Sequence, residues 1–173
     1  MAYNTLDDIL GEIPGEVLVQ LTNDSETNIT AAMIQTALSG ALVETSDPDA
    51  PTEEQVAAAT AAAAAATKCL NRASAMVDGY CSNLYDVPFD TASPFLKSVD
   101  LDVAIYNLFS RRDNVPENRK DRYKNSEKIL IKIGAGDIQL GVTGPTAPQQ
   151  QGQVVQVTPA LENIFTFDRL KNF

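Results

Sequence analysis

Thr52-Glu53-Glu54-Gln55 opens the segment with the fewest conformational choices in the chain. Thr52 and Gln55 have the spacing of a capping box, in which each side chain satisfies the other residue's orphan amide. Ala then dominates 57–66, and Ala is the best helix former because it loses no side-chain entropy. The pattern predicts one helix from Glu53 to about Asn83, roughly 46 Å long. Its second half carries an apolar stripe of Leu70, Ala73, Val77, Tyr80, Cys81 and Leu84. Its first half has almost no large apolar side chain, so the Ala-rich part is expected to project or to pack closely against another backbone. The competing reading of 44–66 is low-complexity disorder. Gly79 inside this helix costs about 1 kcal/mol relative to Ala and reads as a site of close helix packing.

Shorter helices flank the long one. Thr5 is an N-cap with Asp7 and Asp8 in the first turn, starting a helix of about 6–13 that Pro14-Gly15 stops. Glu16 to Leu21 forms a second helix. Ile29, Met33, Ile34, Ala37, Leu38 and Ala41 recur at helical spacing and form a third. Ser93 before Pro94 caps a helix of about 94–112, where Leu96, Val99, Val103 and Tyr106 belong to an apolar set covering most of the circumference. That helix is expected at the centre. The next runs over about 116–133, with Gly134 as its expected stop. Asp137 to Leu140 reads as a short strand or extended piece. The fold class is all-α, a small helical bundle whose core includes Leu70, Val77, Tyr80, Leu96, Val99, Val103 and Tyr106. Beyond the bundle, 141–153 reads as a flexible linker and 154–173 as an apolar, aromatic C-terminal arm.

Composition removes most chemistry. The 173 residues include no His, which excludes a Ser-His-Asp triad, a Cys-His dyad and an HExxH zinc site. Cys69 and Cys81 lie 12 residues apart on one helix, roughly 18 Å, beyond disulfide reach, and fit a reducing compartment. Asp100 and Asp102 point to different faces of their helix, so they make no metal site. No phosphate-binding glycine motif occurs. The chain is therefore read as having no catalytic site, no metal and no cofactor. Its start has neither the basic nor the apolar region of a signal peptide, and no stretch is apolar and long enough for a membrane span.

Thirteen basic against 23 acidic residues give a net charge of −10, which argues against wrapping DNA or binding an anionic membrane. The basic residues cluster at Arg111, Arg112, Arg119, Lys120, Arg122 and Lys124. A solvated helix face is one reading of that cluster. Ion pairing within the bundle or between subunits is the other, with Arg111, Arg112, Arg119, Arg122 and Asp102 as subunit-interface candidates.

The order of these pieces resembles the head–tail connector (adaptor, or head-completion) proteins of tailed bacteriophages, especially the small Mu-like prophage type. The matching stretches are MAYNTLDDIL, EVLVQLTND, ASAMVDGYCSNL followed by Tyr85-Asp86-Val87-Pro88-Phe89, and Pro94-Phe95-Leu96-Lys97 running into VDLDVAIYNLFSRR. Arg122-Tyr123-Lys124 and the ending Phe165 to Phe173 complete the set. The departure is 43–67, an acidic loop plus Ala-rich helix where a short turn is expected. The resemblance implies a connector domain over 1–140 and a structural virion protein without enzymatic activity. It implies a ring, usually of twelve subunits, at the neck beneath the portal, assembled in the host cytoplasm. Its implied partners are further copies of itself, the portal, neck or tail proteins, and double-stranded DNA passing without sequence recognition. It also implies that the arm clasps the portal through Phe165, Phe167, Arg169, Leu170 and Phe173. Rival readings are a stopper or tail terminator, which would be richer in strands, and a small helical regulator of another protein.

Overall fold

A computed structural model describes residues 2–40 and 50–140. They form six α-helices, with no strand among the described residues: α1 (Leu6–Glu12), α2 (Gly15–Thr22), α3 (Ala31–Leu38), α4 (Glu53–Cys81), α5 (Pro94–Ser110) and α6 (Glu117–Ala135). The termini follow the local signals. Thr5 and Asp8 form a reciprocal capping box on α1, and the Thr5 amide and hydroxyl hold the Asp8 carboxyl below its usual range. On α4, Thr52 Oγ1 accepts the Gln55 amide at 3.3 Å while Gln55 Oε1 accepts the Thr52 amide at 3.0 Å. Gln55 Nε2 also donates to the Asn28 carbonyl at 3.1 Å, tying this helix start to the turn before α3. Replacing Thr52 by Ala is expected to cost about 1 kcal/mol, read as a lower denaturant midpoint at unchanged slope.

The Ala-rich half of α4 takes the second of its two expected arrangements. Ala58, Ala59, Ala62, Ala63 and Ala66 are buried where α2 and α3 pack on α4. Small side chains let the helix axes approach, and the larger apolar groups come from the neighbours: Leu18, Leu21, Ile29 and Ile34 join the same cluster. The Ala-rich half of α4 is thus part of the fold of its own chain, so a deletion of 45–66 should lose helical circular dichroism.

α4 runs through two cores. The first holds Leu6, Ile9, Ile34, Leu70, Val103, Ile105 and Leu108; the second holds Val77, Cys81, Tyr85, Leu96, Val99, Leu130 and Ile133. Of the residues expected in the core, Leu70, Val77, Leu96, Val99 and Val103 are buried. Tyr80 and Tyr106 are only half-buried, and Tyr106 instead stacks on Tyr123 of α6 with ring centroids 4.0 Å apart. A flat ring pair at a helix seam buries area, and the Tyr123 hydroxyl donates to Met76 Sδ at 3.9 Å.

Two glycine readings need correction. Gly134 lies inside α6, and the left-handed cap is Gly136 at φ +84°. A Cβ on Gly134 would lie 2.8 Å from the Tyr80 carbonyl oxygen, so this glycine is where α6 crosses α4. Gly79, by contrast, is exposed with nothing within 4 Å of an added Cβ. Residues 137–140 form no strand: the Asp137 and Ile138 amides turn back onto the Lys132 carbonyl, and the Leu140 amide donates to Tyr85 Oη at 3.2 Å. The linker and the arm, 141–173, lie outside the described residues.

Candidate functional site

The basic cluster is spent largely inside the bundle. Arg111 Nη1 donates to the Leu21 carbonyl at 2.7 Å, and Arg112 Nη2 donates to the Asn23 carbonyl at 2.5 Å. Both also pair with Asp24, at 2.7 and 2.8 Å. They therefore cap the carbonyl end of α2, where the helix dipole favours a cation. The same device recurs at α1: Arg119 Nη2 donates to the Glu12 carbonyl at 3.1 Å, and Arg122 Nη1 meets Glu12 Oε2 at 3.0 Å.

Arg122 Nε also reaches Asp102 Oδ1 at 3.2 Å. Burial pushes the Asp102 carboxyl upward, against the attraction of Arg122. Glu12 and Asp102 in turn hold the Arg122 guanidinium further toward its charged form. Arg111 and Arg112 thus hold the end of α2, while Arg119, Arg122 and Asp102 form a separate group with Glu12 at the end of α1. Each of them has a partner in its own chain, which is the intra-bundle half of the two readings above.

A second polar centre forms around Asp100, which the sequence reading considered only for a metal site. Asp100 is fully buried and accepts from Asn4 Nδ2 at 2.8 Å and from Ser74 Oγ at 3.0 Å. Ser74 Oγ in turn accepts the Tyr3 amide at 3.0 Å, and Asn4 Nδ2 also donates to the Lys97 carbonyl at 2.8 Å. Tyr3 Oη donates to Asp78 and accepts the Phe89 amide. The network fastens the chain before α1 onto α4, α5 and the loop after α4. Desolvation pushes the Asp100 carboxyl up to about 6, outweighing its two hydrogen bonds. The Tyr3 hydroxyl is likewise raised, by burial and then by Asp78. The signal for this centre was an Asp on the same helical face as the buried Leu96, Val103 and Ala104.

Among the described residues no three or more Cys, Asp or Glu side chains gather as a metal-ligand set. Cys69 and Cys81 are buried free thiols, and burial pushes the Cys81 thiol up to about 11. No helix among the described residues is long and apolar enough to cross a membrane. Phe165, Phe167, Arg169, Leu170 and Phe173, the residues expected to clasp the portal, lie outside the described residues.

No curated protein matches the chain. The family model described as Bacteriophage Mu, Gp36 matches residues 3–157. That span takes in all six helices, both cores and the Asp100 network. The chain therefore belongs to the bacteriophage Mu Gp36 family and is a protein of Mu-like phages.

Proposed function

We propose that this protein is a head–tail adaptor, a virion structural protein of the neck with no enzymatic activity. Its subunits, twelve by the resemblance, form a ring under the portal that extends the DNA channel and offers a docking platform for neck and tail proteins. The observation that carries the reading is the family match over 3–157.

Two physical features suit the role. A net charge of −10, repeated around a ring, would repel the DNA backbone and keep it from adhering to the channel. An apolar tip behind a linker, in Phe165, Phe167, Leu170 and Phe173, suits an arm that ties two rings together many times over. An all-helical bundle also favours the adaptor over the strand-rich stopper and tail-terminator readings.

The test is native mass spectrometry of the full-length chain and a 1–143 truncation, each alone and with the cognate portal. A stoichiometric ring-on-ring complex that is lost on truncation is the expected result. A complex that survives truncation would keep the adaptor and discard the arm residues as portal contacts. A full-length chain that stays monomeric and ignores the portal would leave a small helical regulator as the better reading.

A further inference from the structure

Charge is divided along this chain more sharply than its net value conveys. Residues 1–67 contain 11 Asp and Glu and no Lys or Arg. Within that half, Glu12 and Asp24 take up the arginines of α5 and α6. Glu16, Glu53 and Glu54 have no cationic partner among the described residues.

Of these three carboxylates, Glu16 lines a cleft of about 680 Å³ between α2 and α3. Its wall includes Glu16, Val19, Gln20, Ile29, Ala31 and Ala32, so it is apolar inside with an anionic lip. The Gln55 side chain donates to the Asn28 carbonyl in that wall, which links the first turn of α4, where Glu53 and Glu54 lie, to the cleft.

The outer face of α6 has the opposite character. Lys124, Lys128, Ile131 and Lys132 are exposed, on the side turned away from buried Ser126, Leu130 and Ile133. Lys124 is held by Asp121 at 3.3 Å, whereas Lys128 and Lys132 have no anionic partner among the described residues. Between them Ile131 is 52% exposed, more than any other large apolar side chain described.

We propose that Ile131 of one copy seats in the α2–α3 cleft of a second copy, with Lys128 and Lys132 meeting Glu16 and the Glu53-Glu54 pair. Charge complementarity selects this cleft. Another exposed groove, between α3 and α4, has Leu38 on its wall but also Lys68, which repels the α6 lysines. The two joined surfaces are different patches, so the contact runs head to tail and closes into a ring where the rotation allows. The contact rests on the ring reading given above and names its subunit boundary.

The test uses the full-length chain, with and without portal, followed by sedimentation and native mass spectrometry. The variants are Lys128→Glu with Lys132→Glu, Glu16→Lys with Glu53→Lys, and all four substitutions together. All are exposed positions, and unchanged helical circular dichroism controls for folding. Each pair alone is expected to raise the concentration needed for assembly by more than about tenfold, and the combined variant should recover it. Wild-type assembly should also weaken with added salt. Assembly of either pair at the wild-type concentration would overturn the contact while leaving the ring reading in place. Loss in each pair without recovery in the combination would overturn the matching of these two surfaces. A wild type monomeric with and without portal would overturn the ring reading and this contact together.

Discussion

Replacing Gly134 by Ala is expected to destabilise the bundle by about 2 kcal/mol, while the same change at Gly79 stabilises it by about 0.5–1 kcal/mol. The contrast isolates packing from propensity, because both residues lie within helices. At Gly134 the new methyl carbon would lie 2.8 Å from a backbone oxygen of α4 and cannot be relieved by a rotamer change. Overpacking of that kind costs up to about 3 kcal/mol, of which a better helix propensity returns about 1. At Gly79 no atom lies within 4 Å of the added carbon, so only the propensity gain remains. Urea unfolding of both variants at equal slope would measure the difference. Equal effects of the same sign would refute the assigned crossing point.

Asp100→Asn should change how stability depends on pH. The folded-state carboxyl titrates near 6, against 3.8 for the ordinary group. A raised carboxylic pKa means that the folded protein holds its proton more tightly than the unfolded chain does. The site's contribution to stability is therefore greatest below about pH 4 and falls as pH rises through 6. A shift of about two units corresponds to about 3 kcal/mol between pH 4 and pH 7. Asn cannot ionise, yet its oxygen can accept from Asn4 while its amide donates to Ser74, as the protonated acid does. Relative to the wild type, the variant should therefore gain about 3 kcal/mol as pH rises from 4 to 7. Subtracting the two curves removes the opposite, acid-sensitive contribution of Asp8, whose carboxyl is held low and which is present in both. Parallel curves for wild type and variant would show that the Asp100 carboxyl titrates alike in the folded and unfolded chain, with no raised pKa. Asp78 and Tyr3, which face the same network, are left intact by the substitution.

The helices could be read from the sequence because their signals are local. Thr5, Thr30, Thr52 and Ser93 each cap the helix that follows through hydrogen bonds spanning a single turn. Such bonds depend only on residues three apart, so their spacing is visible in the chain itself. The burial of Leu70, Val77 and Val103 was equally legible, since it follows helical periodicity.

The parts that escaped depend on what lies across from a residue. The sequence read Gly79 as the packing glycine and Gly134 as a helix stop; the position of α6 against Tyr80 makes Gly134 the packing position and leaves Gly79 free. The sequence could only exclude Asp100 from a metal site; its partner Asn4 lies 96 residues away, where no spacing rule reaches. The arginines announced a charged patch, but their partners are the exposed ends of α1 and α2, which no spacing rule places.

The sequence by itself determined where helices start, which of their faces are apolar, and that imidazole chemistry is absent. Each of these depends on residue identity or on spacing within a few turns. Tertiary structure alone decided that the alanine face serves α2 and α3, that Gly134 is the crossing point, and that Asp100 is buried beside Asn4. Those facts belong to pairs of segments far apart in the chain, brought together by close packing that fixes one arrangement among many with the same local pattern.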